Sequence, residues 1–201
     1  ICGKPFDPLA QTAPTCAYCR THRYKFDRCR SAVIYEGVAR EMIHALKYCG
    51  RRRLAEPMAD FIWHSLHKSM NNEASNFFLH GDIDIIIPVP LHRRRLRERG
   101  FNQATLIANA LATHLGAPVQ ESVLIRTRHT HPQFELPPAN RRENVRKAFY
   151  VTQPDAIRNK VVLLVDDVMT IGATLDESAR ALRRAKPKAI YAVTFARALR
   201  M

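Results

Sequence analysis

Apolar and polar positions fall into two alternating kinds of stretch along the chain. Residues 83–90 (IDIIIPVP) and 161–165 (VVLLV) are short apolar runs without a polar face. Such runs suit strands buried on both sides. Residues 31–35 (SAVIY) and 189–195 (AIYAVTF) read the same way, and 119–125 reads as a weaker strand. Between them lie helical patterns. Residues 38–48 put Val38, Met42, Ala45 and Leu46 on one face, and 174–185 do so with Leu175, Ala179 and Leu182. Residues 52–68 continue as helix, and 101–115 form another that stops at Gly116. Residues 70–81 are a polar connection, and 126–147 a long basic loop without a clear period. Strands alternating with helices predict an α/β fold, a central and mostly parallel sheet flanked by helices.

Residues 1–28 lack this periodicity and are rich in Cys, Pro and Thr. They read as a separate small unit in front of a domain spanning 29–201. A chain of 201 residues suits one core domain plus such an appendage. No apolar run reaches the ~20 residues that span a bilayer, so the chain reads as soluble. It opens at Ile1 rather than Met, which weakens any targeting argument.

Charge changes the picture. The formal net charge is +14, and four segments (20–30, 47–53, 91–99 and 126–147) each carry a net +4. The remainder of the chain is therefore slightly acidic. Basic charge concentrated in this way points to a polyanionic partner; solvated faces are the plainer alternative. Tyr18, Tyr24 and Phe26 interleave with Arg20, Arg23, Lys25 and Arg28. That mixture suits stacked bases between phosphate contacts, or simply packing against the core.

The most specific chemistry lies at 161–174, VVLLVDDVMTIGAT. A buried strand closes on Asp166 and Asp167. Thr170, Gly172, Ala173 and Thr174 then lead into a helix. Ligands of open α/β sheets sit at the carboxyl ends of strands, and a helix start offers N–H groups to a phosphate. Gly172 permits close backbone approach. Two carboxylates beside such a loop suit vicinal hydroxyls next to a phosphate, the pattern of a ribose 5-phosphate. A bare Mg²⁺ site and a purely structural cap are the alternatives. A P-loop is excluded, because no G-x-x-x-x-G-K-[ST] occurs.

This stretch resembles the phosphoribosyl pyrophosphate (PRPP) motif of type I phosphoribosyltransferases. Ile171 stands where a small or hydroxyl residue is usual. PVPLHRRRLRERGFNQA (88–104), YEGVAREMIHALKYCG (35–50) and RTRHTHPQFELPPANRRENVRKAF (126–149) are similar to the ComF family (ComFC or GntX-like proteins) along essentially the whole chain. The resemblance implies a type I phosphoribosyltransferase fold with an N-terminal zinc ribbon. It also implies a cytoplasmic role in natural transformation, with single-stranded DNA and DNA-uptake or helicase proteins as partners. PRPP with Mg²⁺ would be held by Asp166, Asp167, Val168, Met169, Thr170, Ile171, Gly172, Ala173 and Thr174. Candidates for the pyrophosphate are Lys47, Pro90, Leu91, His92, Arg93, Arg95 and Arg99. Arg126, Arg128, Gln133, Arg141 and Asn144 occupy the positions of a mobile loop that closes over such sites.

Five cysteines are present, four of them in the first 29 residues. Cys16-Ala-Tyr-Cys19 is a C-x-x-C knuckle, half of a thiolate zinc site. The family layout implies Cys2, Cys16 and Cys19 as Zn²⁺ ligands. The fourth lies off the chain, three residues before Cys2, or is Cys29. Unmetallated thiols are the alternative, and Cys49 reads as a bystander. A true phosphoribosyltransferase and a PRPP-sensing regulator rival the DNA-handling role, because no motif identifies an acceptor.

Overall fold

The computed structural model describes residues 1–3, 16–70, 78, 82–131, 137 and 140–199. Four strands form one parallel sheet: β1 (Arg28–Ile34), β2 (Ile85–Pro88), β5 (Val161–Met169) and β6 (Ala189–Arg197), in the order β1-β6-β5-β2. Two three-residue strands, β3 (Leu124–Arg126) and β4 (Phe149–Val151), pair antiparallel beside it. The helices are α1 (Ala17–Thr21), α2 (Gly37–Tyr48), α3 (Ala55–Met70), α4 (Arg93–Arg99), α5 (Gln103–Leu115), α6 (Arg141–Val145) and α7 (Ala173–Arg183). Among the described residues, no helix is long and apolar enough to cross a membrane.

Alternate residues of a strand face opposite sides of a sheet, and here both sides are covered. Val162 and Leu164 of β5 pack with Leu175, Ala179 and Leu182 of α7. Val161, Leu163 and Val165 pack on the other face with Met58, Ile62 and Leu66 of α3 and Ile107 and Leu111 of α5. This double cover is why the central strands have no polar face. Cys2, Cys19, Tyr24 and Phe26 join the α7-side core, so the N-terminal stretch shares that core with the sheet.

The main elements agree with the hydrophobic pattern, and four details differ. The basic run 93–99 is helical. It starts at His92, whose side chain accepts from the Arg94 N–H, and stops at Gly100 in the left-handed region. The strand expected over 119–125 shrinks to β3, with a single bridge from Val119 to Ile86. Segment 126–147 is not wholly a loop, since α6 lies within it. Finally, β5 runs on to Met169, so the aspartates sit inside the second half of the strand and not beyond its end.

Candidate functional site

At the carboxyl end of β5 opens a cleft of about 1130 Å³. Its floor is Asp166 to Thr170 and its far end Gly172 to Leu175; α2 walls one side, and the 89–92 stretch, Arg95 and Arg99 the other. Gly172 makes the turn from strand to helix possible. Its φ is +77°, and a Cβ there would approach Met169 Cε to 2.5 Å and Tyr24 Cε1 to 3.0 Å. A side chain would be both strained and blocked.

The two carboxylates are buried, Asp166 at 8% exposure and Asp167 at 4%. Each is strapped to the backbone that follows it. Asp166 Oδ1 accepts from the Asp167 N–H at 2.9 Å, and Asp167 Oδ1 from the Val168 N–H at 2.8 Å. Asp167 Oδ2 forms an ion pair with Lys47 Nζ. Burial, reinforced by the Asp167 charge, raises the Asp166 carboxyl well above its ordinary value. Burial depresses Lys47, but the paired Asp167 outweighs it and leaves the ammonium raised. Asp167 is therefore paired with Lys47, whereas burial disfavours a charge on Asp166.

Asp166→Asn tests this, since it keeps the oxygen that meets the Asp167 N–H and removes the charge. A carboxyl raised on folding stabilises fully below its unfolded pKa, and that contribution is lost as pH rises through the folded value. The variant should thus melt a few degrees higher than the parent at neutral pH. The gap should close toward 3.8, the ordinary value of an aspartate carboxyl. Thermal melts across pH measure it; a variant less stable at neutral pH would contradict the assigned strain.

Most of the residues expected at the site line this cleft: Lys47, Pro90, Leu91, His92, Arg95, Arg99, Arg126, Asp166 to Thr170, and Gly172 to Thr174. Arg93 does not line it. Ile171 does not either: its side chain packs in the core at 5% exposure. The bulky residue in the loop therefore does not intrude on ligand space. Arg128 donates to the Asn144 carbonyl at 2.7 Å, and Asn144 Nδ2 to the His131 carbonyl at 2.9 Å; neither side chain reaches the cleft. Arg141 is also absent from its lining. Gln133 lies outside the described residues.

Burial depresses Arg99 and Arg126, with Asp167 and Asp166 respectively opposing. Among the described residues, Arg126 Nε is buried without a hydrogen-bond partner. His92 meets His129 at 5.2 Å between rings, and burial followed by the His129 charge lowers His92. Sequence reasoning named Lys47 but missed the rest of this wall, Arg40, His44 and Tyr48 of α2 and Tyr35 just before it. Its one signal was an exposed tyrosine, Tyr48 at 51%, over which the Arg99 guanidinium sits at 5.5 Å. The basic aromatic stretch reads differently in three dimensions. Tyr24 and Phe26 are buried in the core and offer no face to a base.

The cysteines divide clearly. The sulfur atoms of Cys2, Cys16 and Cys19 lie within 4.8 Å of one another, and this cluster could hold a metal ion. Burial, followed by the neighbouring Cys2, pushes the Cys19 thiol up to about 12. Thiolates would form there only as a cation displaces the protons. Three thiolates suit Zn²⁺ and leave one corner of its tetrahedron open. Cys29 stands apart from the cluster, its thiol donating to Met169 Sδ at 3.3 Å, and Cys49 is exposed.

Comparison with known proteins agrees with this geometry. The model of the phosphoribosyl transferase domain family matches residues 102–200. Competence protein F of Haemophilus influenzae is 37% identical over 116 residues, 57% of this chain and 51% of that protein. Competence protein ComFC of Bacillus subtilis is 31% identical over 106 residues, 49% of this chain and 38% of that one. The chain resembles the ComF competence proteins. Its fold is that of a type I phosphoribosyltransferase, and DNA utilization protein YhgH of Salmonella typhimurium is 29% identical over 92% of this chain and 78% of its own. In aligned length, the chain spans about half of the Haemophilus relative. The matched domain contains the acid pair and the loop, whereas α2 with Lys47 lies outside it.

Proposed function

We propose that this protein handles single-stranded DNA during DNA uptake or utilization and holds PRPP with Mg²⁺ in the β5 cleft. The observation that carries the reading is the acid pair in front of the 170–174 loop, in a chain whose relatives are named for competence and DNA utilization. Residues 1–28 act as a zinc-ribbon-like unit and 29–201 as the ligand domain.

In this reading the loop N–H groups and the Thr170 and Thr174 hydroxyls hold the 5-phosphate. Asp166 and Asp167 accept hydrogen bonds from the ribose hydroxyls. Lys47, Arg95 and Arg99 face the pyrophosphate, where guanidinium forks suit paired phosphate oxygens. Mg²⁺ would enter with PRPP and neutralise its phosphate charge. Crystals soaked with PRPP should show an anion within hydrogen-bond reach of residues 170–174. An empty loop at saturating ligand would count against the site.

Transfer of the phosphoribosyl group is a second reading, favoured by the size of the cleft. About 1130 Å³ lies just above the usual range of small-molecule sites and leaves room beside PRPP. An acceptor nitrogen would bond to C1 as the C1–oxygen bond breaks. Pyrophosphate leaves with the electron pair, and the acceptor loses its proton. Asp166 would stabilise the cationic sugar at the transition state. Pyrophosphate release with a panel of acceptors separates turnover from binding alone.

Zinc would add metal bonds to an N-terminal segment whose Cys2 and Cys19 already join the α7-side core. Cys16→Ser or Cys19→Ser in the metal-loaded protein should lower the melting temperature by several degrees, and Cys49→Ser should leave it unchanged. Equal effects at all three positions would argue against a metal role for the cluster.

A further inference from the structure

The loop behind the acid pair is held by a residue that does not line the cleft. Tyr24 lies between the cysteine segment and β1, stacked on Phe26 at 4.6 Å and met edge-on by His22 at 4.8 Å. Its hydroxyl donates to the Ile171 carbonyl at 2.8 Å, in a buried bond across 147 residues of sequence. The next residue, Gly172, lines the cleft, and Tyr24 does not.

In a trans peptide the C=O and N–H point in opposite directions, and the described chain has no cis bond. Anchoring the Ile171 carbonyl on Tyr24 therefore turns the Gly172 N–H away from Tyr24. Glycine also makes this peptide the one in the loop most able to flip, because its right- and left-handed backbone regions cost about the same. We propose that Tyr24 is a positioning residue for the phosphate loop, holding the 171–172 peptide so that the Gly172 N–H donates into the cleft. The inference rests on the reading of residues 170–174 as a phosphate site. It adds that the N-terminal segment shapes that site without touching the ligand.

Tyr24 is itself braced. Asp176, 3% exposed in the first turn of α7, accepts from the Lys25 N–H at 2.7 Å. Its own N–H donates to the Gly172 carbonyl at 2.8 Å. Its other oxygen lies 3.1 Å from His22 Nε2 and 3.4 Å from Arg142 Nη1 of α6. One buried carboxylate thus ties together the stretch carrying Tyr24, the end of the loop and the basic segment.

Tyr24→Phe is the test, because it keeps the ring and removes only the hydroxyl. Glycine-selective ¹⁵N labelling of a chain with 7 glycines gives a spectrum simple enough to follow Gly172. The probe is ribose 5-phosphate. The variant should bind it about tenfold more weakly, the scale of one hydrogen bond to a charged group. Its Gly172 amide signal should be displaced before any ligand is added. Thr170→Ala serves as a control within the loop. If Thr170→Ala weakens ribose 5-phosphate and Tyr24→Phe does not, the positioning role is overturned while the phosphate site stands. If the parent protein does not bind ribose 5-phosphate, the phosphate site fails and this inference with it. Should the Phe variant not fold, the parent decides. Its Gly172 amide signal must move when ribose 5-phosphate binds, and a signal that stays still during binding overturns the proposal.

Discussion

Lys47→Met should destabilise the protein by about 3 kcal/mol at neutral pH, the lower end of the cost of breaking a buried ion pair. Lys47 is 20% exposed at its side chain and Asp167 only 5%. Without the ammonium, Asp167 is left as a buried charge beside Asp166. Adding Asp167→Asn should recover most of the lost stability, because both charges are then gone. Urea denaturation of the four members of this cycle measures all of it. A double variant no better than Lys47→Met would show that the pair does not govern the floor of the cleft.

Affinity for single-stranded DNA should fall about a hundredfold between 50 and 200 mM salt, if the four basic segments neutralise roughly four to six phosphates at a log–log slope of about −0.7 each. Sequence should matter little. Arg51, Arg53, Arg93 and Arg94 are exposed, so reversing either pair to Glu should weaken binding and flatten the slope without unfolding the domain. Arg52 is better spared, since its guanidinium packs over the Phe101 ring at 4.7 Å. Fluorescence anisotropy with labelled oligonucleotides at several salt concentrations provides the numbers. A salt-independent affinity, or none at low salt, would remove charge as the basis of DNA binding.

The parts of this molecule legible in sequence were those where local pattern and tertiary environment agree. β5 is apolar because α7 covers one face and α3 and α5 the other. Two acids interrupting such a run stand out for that reason. Helix α4 did not stand out. Its RRRLRER sequence carries a single apolar residue, Leu96, itself 42% exposed. Periodicity has nothing to report on a helix without a buried face, and only its caps at His92 and Gly100 marked it. β3 and β4 are three residues long, too short for an alternation to register. Lys47 was readable as a basic residue at a helix end, but its partner lies 120 positions away on another element. Tyr24 was legible only as an aromatic among arginines. Its burial and its bond to Ile171 arise from tertiary contact that no local pattern encodes.

The central claim is that the acid pair and the loop together hold a phosphoribosyl ligand, and calorimetric titration with PRPP and Mg²⁺ tests it most directly. The parent protein should bind one PRPP per chain. Asp166→Asn together with Asp167→Asn should weaken that binding at least tenfold, the scale of losing charge-assisted hydrogen bonds to the ribose hydroxyls. No heat of binding in a folded parent, or an affinity untouched by the paired substitution, would contradict the account.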